Sequence, residues 1–596
     1  MDSEGIIALL FLKVLIPRNL ILKIIDQTIS FDEKNNPVDS EPWRIKQVYP
    51  DDLERTFGRP KLQAVLLLNR QIKSSFDAES YLASDERLSC DWKLLPNIDN
   101  AIKLVADAIS SGDLIAIYGD FDVDGISATA VLSEILTCIG ASVTTYIPHR
   151  VTEGHSLNTE AITHLASQNV KLIITVDCGT TAYKEVSFAK SLGMKVVVTD
   201  HHIGNEPMPD DVPVVNPGLP ESIYPFKDLT GAGVALKFSE ALCVKYDIEM
   251  PKHLYTLAAL GTIADIGPLT GENRFIVKNG LLNLGDTDHI GLKALARKAN
   301  CNLKTITARD LSFTLIPRLN AAGRLGSADT SLEILITKDI DKAEALSEQL
   351  EQINVVRRNL STKAIKLAKD LVRDNKLSDD PALFLCTPDW HPGVLGLIAG
   401  KLSEEYRRPV VAACVEGENV RASIRSPKGY EVLQGLLDTN INFLKIGGHS
   451  QAAGFTLQCS EIDSFKARFL DAIKKQVVDS STSKPIEYES EVMLAEIDKV
   501  NLKFFKSLEP FGKANPQPVF LSRGLNVYQS RTVGKTDAHI KLIVGEGSIR
   551  FDAIGFGLGL KYHDLGNKID AIYKLSENHW AGKTTIQLHL IDFISV

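Results

Sequence analysis

Six aspartates and two histidines of this chain stand at the ends of four apolar segments. Asp120, Asp122 and Asp124 follow DLIAIYG in the stretch GDFDVDG, and Asp177 follows KLIITV. Asp200, His201 and His202 follow KVVVT, and Asp265 follows YTLAALGTIA. Singly, such an aspartate is commonly a helix cap or turn residue, and such a histidine a hydrogen-bonded surface residue. Together they need another reason, because several anions in one low-dielectric crevice repel each other unless cations neutralise them. In an extended segment residues two apart point the same way, so Asp122 and Asp124 are expected to face one site with Asp120 beside them. Carboxylate-rich ligation with one or two imidazoles suits Mn2+ or Mg2+, histidine favouring manganese, whereas zinc would call for cysteine or more histidine. Two divalent cations so held suit metal-assisted phosphodiester hydrolysis.

The elements that must position these groups follow from periodicity. From about residue 113, short continuous apolar runs (DLIAIYG, SVTTYIP, KLIITVD, KVVVTD) alternate with amphipathic helical stretches such as ISATAVLSEILTCIG. That pattern implies a parallel sheet covered on both faces, a doubly wound α/β domain over residues 45–337, with ligands gathering beyond the carboxyl ends of its strands. Residues 338–377 read as a long connecting helix, with Leu360, Ala364, Leu367 and Leu371 on one stripe and Lys366, Lys369, Arg373 and Lys376 on another. The second stripe is expected to be a solvated face; a basic wall along a nucleic-acid channel is the sharper alternative. A smaller α/β unit spans 378–478. After the polar linker SSTSKP, the period-two alternation of HIKLIVG and TIQLHLI predicts a small antiparallel β-barrel of the OB type over 484–596. Residues 1–44 read as an extension or docking helix outside the core, since Lys13, Pro17, Arg18 and Lys23 interrupt its apolar run before it reaches spanning length.

Composition narrows the class. A chain of 596 residues exceeds the size of one hydrophobic core, so several domains are expected. With 44% hydrophobic and 24% charged residues the chain reads as a globular, non-membrane protein. Eight cysteines without a CxxC pair suggest neither a disulfide framework nor a zinc ribbon, and a reducing cytoplasm is the expected home. A net charge of −9 gives no global footprint for nucleic acid but leaves room for a local basic groove. Nothing demands more than a monomer.

GDFDVDG, VDCG, TDHH and ALGTIADIGPL, in this order, resemble the four motifs of the DHH phosphoesterase superfamily. PRLNAAGRLG (317–326), SIRS (423–426) and GGHSQAAG (447–454) are similar to further segments of its bacterial single-strand-specific exonuclease branch, the last from the DHH-associated domain. The resemblance implies a metal-dependent exonuclease that degrades single-stranded DNA 5′ to 3′ to mononucleotides in recombination and repair. It implies that Asp124, Asp177, His201 and Asp265 hold one ion and Asp120, Asp122 and Asp177 the other, with Asp177 bridging. His202 would sit beside the scissile phosphate as a hydrogen-bond donor or acid. Arg318, Arg324 and His449, with Ser423, Arg425 and Ser426, would approach the DNA phosphates; ion pairing with nearby carboxylates is the competing role for the arginines. Implied partners are single-stranded DNA, a single-strand-binding protein and a RecQ-type helicase. The loop HRVTEGHSLN departs from the family pattern, with His155 and Ser156 where tyrosine and glycine are commoner. Two other readings stay open: a phosphodiesterase of cyclic dinucleotides or short oligonucleotides, and a non-catalytic single-strand-binding replication scaffold. The extra barrel favours a long polymer, and the complete ligand set favours catalysis.

Overall fold

The computed structural model describes residues 42–47, 49, 53–204, 207–476, 485–580 and 583–596. Of the extension expected over residues 1–44, residues 1–41 fall outside them, while Trp43 is buried against Tyr488, Leu521 and Ile572 and so belongs to the folded unit. A short strand β1 (Trp43–Ile45) pairs in parallel with Ile486–Tyr488, tying the start of the described chain to its C-terminal third.

The first α/β unit is built on five parallel strands: β2 (Leu114–Gly119), β3 (Ser142–Tyr146), β4 (Val170–Val176), β5 (Lys195–Thr199) and β6 (Val214–Val215). Their spatial order is β3-β2-β4-β5-β6, so the chain winds one way from β2 to β3 and the other way from β2 to β4. Alternate residues feed two cores. Ile115, Ile117, Leu172, Ile174 and Val176 pack with helices Ile98–Ser110, Val123–Cys138, Gly231–Tyr246 and His253–Ala264. Ala116, Tyr118, Ile173, Val196 and Val198 pack with helices Thr159–Ser167 and Tyr183–Ser191. Burial on both faces is why these strands read as unbroken apolar runs, and the reversal at β2 opens the crevice between the ends of β2 and β4.

YTLAALGTIA is a helix, His253–Ala264, rather than a fourth strand end. Its apolar residues are buried all round, which erases the amphipathic period and leaves helix and strand indistinguishable by pattern. The helix Ile340–Asp374 then carries the chain to a second sheet of β7 (Leu383–Cys386), β8 (Val410–Glu416), β9 (Asn419–Arg425), β10 (Lys445–His449) and β11 (Ala452–Gln458), ordered β10-β11-β9-β8-β7. On the long helix Lys369 pairs with Glu405, and Arg373 with Asp370 and Asp374, so these members of the basic stripe are neutralised rather than lining a channel. Lys376 lies beyond the helix.

After β12 (Ile486–Tyr488) and β13 (Ser490–Glu491), strands β14 (Phe520–Val533), β15 (His539–Glu546), β16 (Ile549–Gly555), β17 (Lys568–Trp580) and β18 (Lys583–Ser595) close into a barrel. The expectation of a purely antiparallel barrel needs correction, because β16 and β18 pair in parallel. Five strands around a closed circuit cannot all alternate in direction, so one pair must run parallel. The helices Leu53–Phe57, Lys61–Leu68 and Ser75–Ala83 share their core with this barrel, through Leu66, Phe505, Phe520 and Leu542 among others, and not with the parallel sheet.

Candidate metal centre

Each acidic residue is delivered by a distinct local device. Asp122 is the N-cap of the helix Val123–Cys138, its carboxylate accepting from the backbone N–H of Asp124 (2.8 Å) and Gly125 (3.2 Å). Asp124 lies inside the first turn, so the expected extended geometry of GDFDVDG is replaced by a strand-to-helix turn. The helix starts early because its bare N–H groups and positive end favour a carboxylate. Asp124 is 1% exposed and accepts from the N–H groups of Gly231 (2.7 Å) and Ala232 (2.9 Å), at the start of another helix. Two glycines allow that approach. A Cβ on Gly231 would lie 2.4 Å from the Asp177 side chain, and one on Gly261 2.4 Å from an Asp124 carboxylate oxygen.

Asp177 leaves β4 with φ of 61°, a left-handed conformation unusual outside glycine and asparagine, and such strain is characteristic of functional turns. Asp200, 1% exposed, holds the next turn together by accepting from the N–H of Thr180 (2.9 Å), His201 (2.7 Å) and His202 (3.0 Å) and from His202 Nδ1 (2.8 Å). Asp265 follows the helix His253–Ala264, and the next residue, Ile266, has φ of 58°. A β-branched residue rarely adopts that conformation.

These devices bring the ligand atoms together in three overlapping groups: Asp120, Asp122 and Asp177; Asp124, His201 and Asp265; and Asp177, His201 and His202. Within each group the atoms lie within 4.8 Å of one another. His201 Nε2 is 3.0 Å from Asp177 Oδ1 and 3.8 Å from Asp124 Oδ2. Yet Asp120 Oδ1, Asp177 Oδ1 and His201 Nε2 are all buried without a hydrogen-bond partner. Buried acceptors left unsatisfied in a like-charged cluster are what a shared cation repairs, so these residues fit one or two hard divalent ions.

Electrostatics agree. Burial, then Asp120 and Asp265, raises Asp122; burial, then Asp124 and Asp122, raises Asp177 well above the usual carboxylate range. Asp124 is raised by burial, with the nearby His201 opposing. Asp265 is held at about 6 by its low-dielectric surroundings and by Asp124. Asp200 is the exception. Burial pushes it up, but His202 and His201 outweigh that and hold it below the ordinary range. Conversely burial opposes protonation of His202, but the Asp200 hydrogen bond and charge lift it to about 9.

A pH-dependent stability follows. A carboxyl raised in the folded state binds more protons there than in the unfolded chain, so stability without metal falls as pH rises from the ordinary value near 4 through about 6. Calorimetry in chelator should show the melting temperature dropping from pH 5 to pH 7. Mn2+ at a hundredfold excess over its dissociation constant should restore about 2.7 kcal/mol per site at the higher pH, and less at pH 5, where protons compete.

The residues tied by resemblance to DNA phosphates separate into two sets. Arg318 is taken up by Glu351 (2.5 Å) and by the Thr314 carbonyl, so in this structure the competing ion-pair role holds. Arg324, on the helix Leu315–Leu325, has no carboxylate within ion-pair distance among the described residues, and burial with the charges of Arg150 and Arg357 lowers it to about 9. Arg425, lowered by burial and Arg150, donates to Ser423 (3.2 Å) and to the Ile424 carbonyl. His449 is exposed and pairs in register with Ala452, which pairs with Arg425, so His449 and Arg425 share one sheet face. Gly447, Gly454 and Ser423 form the adjacent row, leaving that face open. Ser426 Oγ is buried without a partner.

The structure adds two arginines that sequence reasoning missed, Arg150 and Arg357. Arg150 sits over the Phe121 ring (4.8 Å) and feels Asp120 and Asp122. Its only sequence signal is a basic residue just past the end of β3. In the departing loop, His155 Nδ1 lies 3.6 Å from Asp120 Oδ1.

A doubly wound sheet with a carboxylate crevice at its switch point, a second α/β unit and a five-stranded barrel define a DHH-type protein with an appended OB-fold. Residues 114–262 match the DHH family N-terminal domain, 379–477 the DHHA1 domain and 488–592 the RecJ OB domain. The chain is 32% identical over 557 residues to the single-stranded-DNA-specific exonuclease RecJ of Bacillus subtilis (92% of this chain, 70% of that protein). It is 31% identical to the RecJ of Haemophilus influenzae, with 91% and 96% covered. The crystal structure of RecJ in complex with Mn2+ from Thermus thermophilus superposes with a TM-score of 0.78 at 28% identity, over 93% of this chain and 79% of that one. The chain belongs to the RecJ family.

Proposed function

We propose that this chain is a divalent-metal-dependent exonuclease that degrades single-stranded DNA from its 5′ end to mononucleotides, in DNA recombination and repair. One observation carries the reading: orphaned, buried ligand atoms converge at the sheet switch point beside arginines that have no ion-paired carboxylate among the described residues. Asp124, Asp177, His201 and Asp265 would hold one Mn2+ or Mg2+ and Asp120, Asp122 and Asp177 the other; relatives of this family have been solved with each metal. Bound cations of this kind supply Lewis acidity at the phosphate and a nucleophile from water at neutral pH. His202, protonated and oriented by Asp200, donates toward the scissile phosphate. Arg150, Arg324 and Arg425, with Ser423, Ser426 and His449, steady the strand's phosphates.

A groove of about 1570 Å³ between the catalytic helices and the barrel supports a polymeric single strand. Arg309, Lys574 and His589 crowd there, and burial with mutual repulsion lowers the last two. Phe313, 73% exposed beside Arg309, offers a ring on which a base can stack. Among the described residues no helix is long and apolar enough to cross a membrane. A cytoplasmic location, and work alongside a single-strand-binding protein and a RecQ-type helicase, belong to the same proposal. Incubation with Mn2+ and 5′-labelled single-stranded DNA, duplex DNA, RNA and a dinucleotide tests the reading. Mononucleotides from the long single strand are expected; cleavage of the dinucleotide alone would instead favour a short-oligonucleotide phosphodiesterase, and binding without cleavage a scaffold.

A further inference from the structure

His155 stands in the loop that departs from the family pattern, and the fold holds that loop against the metal centre. Two anchors flank the residue. On one side Glu153 accepts from the His149 N–H (2.8 Å), the Tyr146 hydroxyl (2.8 Å) and the Asn158 amide (3.0 Å). On the other, Ser156 has a left-handed backbone with φ of 67°, and its carbonyl accepts from the Tyr118 hydroxyl (3.0 Å). Further back, Arg421 of β9 donates to the Val151 carbonyl (3.0 Å), so the second α/β unit braces the loop as well. The imidazole packs on Phe121, ring centroids 4.4 Å apart, and Phe121 is itself buried between Asp120 and Asp122 in the chain. Its position is therefore set by the fold, although one side of the ring is open to solvent.

What it faces is an unsatisfied atom of the cluster. Asp120 is 6% exposed, and its Oδ1 is buried without a hydrogen-bond partner. His155 Nδ1 lies 3.6 Å from that oxygen. The separation is too long for a hydrogen bond, so the imidazole does not itself satisfy the acceptor. It suits two atoms that share one cation: donors about 2.1 Å from an ion and at right angles around it stand about 3.0 Å apart, and wider angles open that distance. Asp120, Asp122 and Asp177 already offer three oxygens within 4.8 Å of one another. His201 brings nitrogen to the companion group of Asp124 and Asp265, and no imidazole is counted in this one.

We propose that His155 Nδ1 is a further metal ligand, completing with Asp120, Asp122 and Asp177 a site of three carboxylates and one imidazole for a divalent cation. The inference rests on the metal-dependent function proposed above. Its consequence is selectivity. A nitrogen donor favours Mn2+ and the later transition metals over Mg2+, so this site should discriminate between them as the His201 site does. A contact between the same ring and the substrate strand is the competing role.

The test uses the full chain, stripped of metal, with two variants. His155→Phe keeps a ring against Phe121 without a donor atom, and His155→Asn offers an amide oxygen near the position of Nδ1. Binding of Mn2+ and of Mg2+ is measured by calorimetry without DNA, and binding of a 20-nucleotide single strand is measured separately in chelator. His155→Phe should weaken one of two Mn2+ sites by about tenfold and the Mg2+ sites by less than about threefold, leaving the other Mn2+ site as it was. His155→Asn should recover Mg2+ binding but keep a lowered ratio of Mn2+ to Mg2+ affinity, since oxygen has replaced nitrogen. If His155→Phe does not fold, that ratio in His155→Asn decides. Unchanged Mn2+ affinities in His155→Phe, or an unchanged ratio in His155→Asn, would overturn the proposal, and weaker strand binding alongside them would assign the ring to DNA instead. Failure of the unaltered chain to bind Mn2+ at two sites would strike the metal-dependent reading itself.

Discussion

Asp177→Asn should lower single-strand cleavage by about three orders of magnitude, close to 4 kcal/mol of barrier, while binding of single-stranded DNA in chelator stays within about threefold. Asp177 alone among the clustered residues joins the group containing Asp120 and Asp122 to the group containing His201. Its Oδ1 is buried without a hydrogen-bond partner, and the nearest imidazole nitrogen, His201 Nε2 at 3.0 Å, is likewise unpartnered. Asparagine is the discriminating replacement. It tolerates the left-handed backbone at this position, where alanine adds strain, and it preserves volume while deleting the charge. Because burial, and then its acidic neighbours, drive the Asp177 carboxyl well above the usual range, the neutral amide should leave the metal-free protein at least as thermally stable as before. Lost cleavage with an unchanged or higher melting point in chelator thus separates a metal role from a folding role. Retention of more than a tenth of the activity would contradict the bridging assignment.

The second large effect concerns His202 and Asp200. His202→Ala should slow cleavage by about 10²–10³, the usual contribution of a positioned acid. Asp200→Asn should act through the imidazole, because Asp200 Oδ1 is 2.8 Å from His202 Nδ1 and is the chief reason His202 stands at about 9. If the protonated ring is the working form, the rate falls on the alkaline side as that proton is lost. Deleting the carboxylate lowers the histidine, so the alkaline limb of kcat should move to lower pH by about one to two units. The pair's contribution to stability has two limits. The histidine's share is fully present below its unfolded value near 6.5 and disappears as pH rises through about 9, while the share of Asp200, held below the ordinary carboxylate range, is lost only in acid below about 4. A pH profile of Asp200→Asn superimposable on that of the unaltered chain would remove His202 from the chemistry.

What sequence could reveal, and what it could not, follows from how locally each feature is encoded. The two-sided burial of β2, β4 and β5 writes itself as continuous apolar runs, and the acids at their ends are visible because aspartate is conspicuous after such a run. The turn that swings Asp122 onto a helix N-terminus was hidden, since GDFDVDG reads equally as extended chain. The helix before Asp265 was ambiguous because burial on every side removes its period. The parallel closure of β16 on β18 is a property of the whole barrel and leaves no trace in either strand. The same holds for the helices of residues 53–83, whose core partners lie more than four hundred residues away. Arg150 and Arg357 escaped notice because an arginine's role depends on whether a carboxylate reaches it. Arg318 and Arg324, six residues apart in one helix, meet opposite fates on that ground alone.

Crystals of the protein grown with Mn2+, examined by anomalous diffraction at the manganese edge, test the central claim most directly. Two peaks are predicted, one among Asp124, Asp177, His201 and Asp265 and the other among Asp120, Asp122 and Asp177. A cluster free of manganese, or ions bound only elsewhere on the protein, would contradict it.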